Sequence, residues 1–190
     1  MFKNSYKLVL ASSSERRLLL LKRIGYIPNI IDAPEIDESF HKNEKPDLYV
    51  KRIAREKAEK ISKKHKNSYI IAADTVIFCG AKIYGKAFNE SDAFTILKKL
   101  SGRRHRVYGA ICVISPNKNI SVKVIITQVS FKVISDKEIQ DYISEGEWKG
   151  KAGCYAIQGI ASKFVKRING NYDDSLNECI KQSKEKTISR

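Results

Sequence analysis

The stretch Tyr69-Ile70-Ile71-Ala72-Ala73-Asp74-Thr75-Val76-Ile77-Phe78-Cys79 is an apolar run that only Asp74 and Thr75 interrupt. Its β-branched and aromatic residues predict a strand, and Cys79-Gly80-Ala81-Lys82 predicts the hairpin turn that follows it. Asp is depleted in strands, and an ionised carboxylate among Ile70, Ile71, Val76 and Ile77 is costly unless it is paired or metal-bound. Asp74 is therefore a candidate functional carboxylate, against the blander reading of an Asp that hydrogen-bonds a neighbouring turn.

Upstream, Tyr6 to Leu10 reads as a strand, Ser12-Ser13-Ser14 as a loop, and Leu18-Leu19-Leu20-Leu21 as a helix that closes at Ile24-Gly25, with Ser13 or Ser14 as its cap. Tyr26 to Asp32 predicts a second strand and Ala33 to Lys45 a polar loop that suits a cleft edge. Pro46 opens a long amphipathic helix whose apolar positions Val50, Ile53, Ala54, Ala58 and Ile61 keep helical spacing. Downstream, Ser91 is placed to cap a helix through Leu100, and the strands Arg106 to Ser115 and Ile120 to Ile134 form an antiparallel pair around Pro116-Asn117-Lys118-Asn119. Ser135-Asp136-Lys137-Glu138 is a capping signature for a helix to Ser144, and Ser162 to Asn169 reads as a last strand. Strands and helices alternate first and paired strands follow, which predicts an α/β protein with a mixed sheet and flanking helices.

The 190 residues carry a net charge of +15, 42% apolar and 30% charged residues, a composition that suits a globular chain with a conventional core. The lysines are dispersed and few aromatics are interleaved among them, which argues against nucleic acid as the partner. No apolar run reaches the length of a membrane span and no signal-peptide pattern opens the chain, so the expectation is a cytoplasmic protein without a membrane partner. Cys79, Cys112, Cys154 and Cys179 and His41, His65 and His105 lack metal-site spacing, so any metal should be held by oxygens.

Arg16 and Arg17 fall in the first turn of a helix, where the dipole disfavours cations by about 0.3–1 kcal/mol each. A serine loop opening a helix is an anion site, and an arginine fork adds contacts to phosphate oxygens. Ser12, Arg16 and Arg17 are thus candidate phosphate ligands, although no Walker motif is present. Lys57 and Lys86 are further phosphate candidates that read singly as surface lysines. Glu38, in Ile36-Asp37-Glu38-Ser39, matters only if it faces Asp74. In Lys151-Ala152-Gly153-Cys154-Tyr155-Ala156-Ile157-Gln158-Gly159 the glycines permit close backbone approach, and Gln158 offers a donor and an acceptor that complement a uracil or thymine edge.

Taken in order, Leu10 to Arg17, Ala54-Arg55-Glu56-Lys57-Ala58, Ala73-Asp74-Thr75-Val76, Leu100-Ser101-Gly102 with His105, and Gly150 to Gly159 resemble the Maf family of nucleoside triphosphate pyrophosphatases from about Leu8 to Tyr172. The resemblance implies a fold like that of inosine triphosphatases, a mixed twisted sheet with flanking helices in two lobes around a nucleotide cleft, and hydrolysis of a nucleoside triphosphate to monophosphate and pyrophosphate with Mg²⁺ or Mn²⁺. It implies Asp74 as proton acceptor, with a divalent metal bridging Asp74 or Glu38 to phosphate oxygens in the mechanism expected from it, and Arg16, Thr75 and Gln158 as specificity positions. That trio looks like the branch acting on dTTP and UTP, with modified uridine triphosphates as further substrates. It makes residues 1–172 a single pyrophosphatase domain, leaves a homodimer open, and marks 173–190 as an atypical shortened tail, because Asp173-Asp174-Ser175-Leu176-Asn177-Glu178 stands where the family continues through an apolar Gly-Leu-Pro stretch. Glu15, Ala87 and Asn89 also depart from the family pattern. The rival readings are a degenerate nucleotide-binding protein and a nucleic-acid-binding protein, both without turnover.

Overall fold

A computed structural model describes residues 6–170; the segment 173–190, read above as an atypical tail, and Cys179 within it lie outside the described residues. Among the described residues four α-helices and seven strands follow in the order β1 (Lys7–Leu10), α1 (Glu15–Arg23), β2 (Ile30–Ile31), α2 (Pro46–Lys64), β3 (Ser68–Cys79), β4 (Lys82–Tyr84), α3 (Glu90–Leu100), β5 (Arg104–Ile114), β6 (Ile120–Phe131), α4 (Asp136–Ser144) and β7 (Val165–Asn169). The strands form one mixed sheet in the order β2-β1-β3-β5-β6-β7, with β4 paired to β3. β1 runs parallel to β2 and β3, whereas β3 with β4 and β6 with β7 are antiparallel. The chain divides into two compact units, and β3, β5 and β6 contribute residues to both.

The first unit holds residues 6–74 and 109–125 of the described chain. One face of its strands, Leu8, Leu10, Tyr69, Ile71, Ile111, Val113 and Ile125, packs with Leu21 of α1 in a single apolar cluster. Alternation along the strands puts Val9, Ile70 and Ala72 on the opposite face, where all three are fully buried. α2 starts at Pro46, whose missing N–H costs nothing in the first turn. Its stripe Val50, Ile53, Ala54, Ala58 and Ile61 has no solvent exposure, and each larger apolar side chain there contributes about 1.5–3 kcal/mol.

The second unit holds 75–108 and 126–170 of the described chain. Its core joins Ile77, Leu97, Leu100, Phe131, Ile139, Tyr142, Trp148, Tyr155 and Phe164. His105 is buried within it, with Nε2 2.6 Å from the Tyr155 hydroxyl and an edge contact to Phe131. Burial pushes the imidazole down to about 4, so it is neutral at physiological pH.

Several local expectations are corrected. Ser14 is the N-cap of α1 by backbone conformation, but its hydroxyl makes no capping bond. α3 is capped by Asn89 rather than Ser91, since the Asn89 side chain accepts from the Asp92 N–H at 2.8 Å. Asn and Asp cap equally well, so Asn89 serves as a full cap. The predicted strand from Tyr26 shrinks to Ile30–Ile31, and the predicted strand from Ser162 begins as a 3₁₀ turn, Ile160–Phe164, before β7. The capping box at Ser135 and Glu138 forms as expected.

Candidate active site

The register Leu10↔Ile71 brings β1 to its end while β3 runs on, so Asp74 lies just past the point where the chain leaves the sheet into Ser12–Ser14. The carboxyl ends of parallel strands are the usual place for ligands in such sheets. Asp74 shares the strand face of Ile70 and Ala72, the face that α2 covers, and its Oδ1 accepts from Lys57 Nζ at 2.8 Å. Each of these two residues is only 6% exposed, so each ion depends on a partner of opposite charge. Lys57 Nζ also lies 2.7 Å from Glu38 Oε1, on the polar loop between β2 and α2. Glu38 and Asp74 therefore converge on one ammonium, which meets the condition under which Glu38 matters.

Burial raises the Asp74 carboxyl above the ordinary aspartate range, with Lys57 and then Arg17 pulling it back down and Glu38 adding to the rise. A carboxylate with a raised affinity for protons, held next to a strand end, is suited to take a proton from water. Arg17 Nη1 donates to Ser12 Oγ at 2.9 Å, and the same oxygen accepts from the Ser14 N–H at 3.2 Å. The first turn of α1 thus sets Arg17, tied to Ser12, near enough to Asp74 to act on its charge, and part of the dipole cost of Arg17 is offset by the field of Asp74. Arg16 is half-buried and makes no side-chain hydrogen bond or ion pair among the described residues.

The structure thus brings Ser12, Arg17, Glu38, Lys57 and Asp74 together within the first unit. Thr75 follows Asp74 in β3, on the opposite strand face, and belongs with Lys86 and Gln158 to the second unit. There, the segment carrying Gln158 is fastened to the segment carrying Lys86. Lys86 pairs with Ala152 in a β-bridge, and the Gly153 N–H donates to the Gly85 carbonyl at 2.8 Å. Gly153 has φ +63°, and a Cβ there would lie 2.1 Å from Ile77 Cδ1. At the far end a Cβ on Gly159 would meet the Glu147 carboxylate at 1.6 Å, the same carboxylate that accepts from the Ile160 N–H at 2.6 Å. Gln158 is exposed on a loop gripped at both ends. Gly153→Ala should lower stability by about 1–3 kcal/mol through overpacking and left-handed strain; an unchanged melting temperature would show that the grip is unimportant.

Sequence reasoning missed Tyr49, Arg52 and Glu44. Arg52 clasps Glu44 with Nε to Oε1 at 2.7 Å and Nη2 to Oε2 at 2.8 Å, and pulls that carboxyl down to about 2. The Tyr49 hydroxyl donates to the Glu38 carbonyl at 2.8 Å. A signal was present, since Tyr49, Arg52, Glu56 and Lys60 recur at i, i+3, i+7 and i+11, one turn-to-turn stripe of α2.

Among the described residues no three His, Cys, Asp or Glu side chains form a metal cluster, and no helix is long and apolar enough to cross a membrane. Residues 7–174 match the family model described as Maf-like protein. The chain is 49% identical over 169 residues to a nucleoside triphosphate pyrophosphatase of Ehrlichia ruminantium, covering 89% of this chain and 88% of that protein. It is 45% identical over 167 residues to a dTTP/UTP pyrophosphatase of Paramagnetospirillum magneticum, at 88% of each chain, and 47% identical over 169 residues to one of Zymomonas mobilis, at 89% of this chain and 84% of that one.

Proposed function

Since the chain belongs to the Maf family, we propose that it is a hydrolase that cleaves dTTP and UTP to the monophosphate and pyrophosphate, with Asp74 as the proton acceptor. The observation that carries this reading is the convergence of Glu38 and buried Asp74 on the buried Lys57 ammonium, just past the carboxyl end of β1. The names of relatives at 45–47% identity supply the pyrimidine triphosphates.

In this mechanism Asp74 orients a water and takes its proton as the oxygen attacks the α-phosphorus. The bond to the bridging oxygen then breaks and pyrophosphate leaves. Lys57, Arg17 and Arg16 offset the charge that moves toward the leaving group, and Ser12 holds Arg17 in place. Thr75, Lys86 and Gln158 are assigned as substrate contacts from their motif matches: Lys86 to phosphate, Thr75 and Gln158 to the base.

The donor set fits a divalent cation. Two carboxylates converge on one ammonium, and Mg²⁺ is commonly held by one or two carboxylates together with substrate phosphates. Glu38 and Asp74 would hold it, and it would supply charge neutralisation on phosphate oxygens. The test is a product screen over dTTP, UTP and purine triphosphates with Mg²⁺ and with Mn²⁺. dTTP and UTP should exceed purine substrates in kcat/KM by about tenfold or more, with pyrophosphate as the product. A purine preference would remove the base assignment of Thr75 and Gln158, and release of orthophosphate would remove the scissile bond assigned above.

A further inference from the structure

The loop between β2 and α2 has no regular structure of its own, yet Glu38 reaches Lys57 as closely as buried Asp74 does. What holds it is a stripe of α2 adjoining the one that faces the core. Tyr49 donates to the Glu38 carbonyl and stacks on Phe40, with ring centroids 4.1 Å apart. Arg52, one turn on, donates to the Ser39 carbonyl at 3.0 Å while its fork holds Glu44 near the loop's far end. Two turns further, Lys60 donates to the Glu35 carbonyl. The Arg52 guanidinium lies 5.5 Å from the Tyr49 ring centroid, so the two fasteners brace each other. Glu38 is thus bracketed by contacts to residues 35, 38, 39, 40 and 44. The loop's internal bonds, Asp37 to the Ser39 N–H and Glu44 to the His41 N–H, shape the turns but do not tie them to the helix.

We propose that Tyr49 and Arg52 are positioning residues for catalysis: they fasten the 33–45 loop to α2 so that the Glu38 carboxylate stands opposite Asp74 across Lys57. Neither residue touches the reacting atoms; each acts through Glu38. The guanidinium is needed for its geometry, because one planar fork serves both Glu44 oxygens and a backbone carbonyl. The proposal rests on the pyrophosphatase reading of the site.

The experiment is a double-mutant cycle on the full chain with dTTP and Mg²⁺, joined to amide hydrogen exchange. Arg52→Gln should lower kcat/KM by about tenfold or more, because misplacing a group at the reaction centre is costly even from a distance. In a Glu38→Gln background the same change should cost less than about twofold, since a positioning residue has nothing left to position. Amides of residues 36–44 should exchange faster by about tenfold in Arg52→Gln, while those of β3 keep their protection. Equal losses in both backgrounds would overturn the proposal, as would unchanged exchange in the loop. If Arg52→Gln fails to fold, Tyr49→Phe, which removes one hydroxyl, decides the matter by the same two readouts. Full activity in Glu38→Gln itself would overturn the site reading and this proposal with it, whereas a loss there without coupling sinks the positioning role alone.

Discussion

Asp74→Asn is expected to bind nucleotide with nearly the affinity of the parent chain and to turn it over about 10²–10⁴-fold more slowly, the range assigned to a positioned general base. The amide keeps the size of the carboxylate and can still accept from Lys57, so the fold of β3 should survive. What it loses is the capacity to take a proton. Burial sets the Asp74 carboxyl above the ordinary range, so the acid limb of kcat/KM in the parent chain should lie above that of an exposed aspartate and should vanish in the variant. Full turnover by Asp74→Asn, measured as pyrophosphate release, would take Asp74 out of the chemistry. A variant that loses nucleotide binding as well would instead make Asp74 a structural partner of Lys57.

Lys57→Met should be the second large effect, on both turnover and stability. It leaves two carboxylates without the ammonium between them, and removing one partner of a buried ion pair typically costs about 3–5 kcal/mol. The charge that offsets the phosphates is lost too, which should slow turnover by about 10²-fold or more. The pH dependence follows from the causes acting on Asp74. Lys57 is the largest influence lowering its pKa, so without it burial acts with less opposition and the folded-state value rises further. A folded carboxyl raised above its unfolded value binds protons more tightly in the native state, so stability falls as pH rises above the ordinary carboxylate range. The melting deficit of Lys57→Met should therefore be greatest at neutral pH and narrow in acid, and the acid limb of its residual activity should move to higher pH. A deficit independent of pH would mean that Lys57 contributes by packing its aliphatic stem alone.

The stripe of α2 shows where sequence reasoning stopped. Lys57 could be placed on a helix from the period of Val50, Ile53, Ala54, Ala58 and Ile61, but it read as one surface lysine among many. The period assigns it to the buried face, since 57 lies i+4 from 53 and i+3 from 54; only an ion pair makes that position tolerable for a charge. Arg52 and Glu44 were invisible for a different reason. Their partners lie in a loop, where no periodicity fixes which residue turns toward the helix. The caps fared similarly: Asn89 and Ser91 are both good cap residues, and the choice between them rests on where the preceding chain enters α3.

By itself the sequence determined the alternation of strands and helices, the anomaly of an Asp inside an apolar strand, and the motifs that mark the family, because each is written in local residue types and their spacing. Tertiary structure alone decided that Glu38, Lys57 and Asp74 meet within 2.7–2.8 Å contacts. Three residues separated by an irregular loop, a helix and a strand converge through the register of β1 on β3 and the docking of α2. Those are long-range packing outcomes, whose energies depend on faces buried together rather than on any neighbour in the chain.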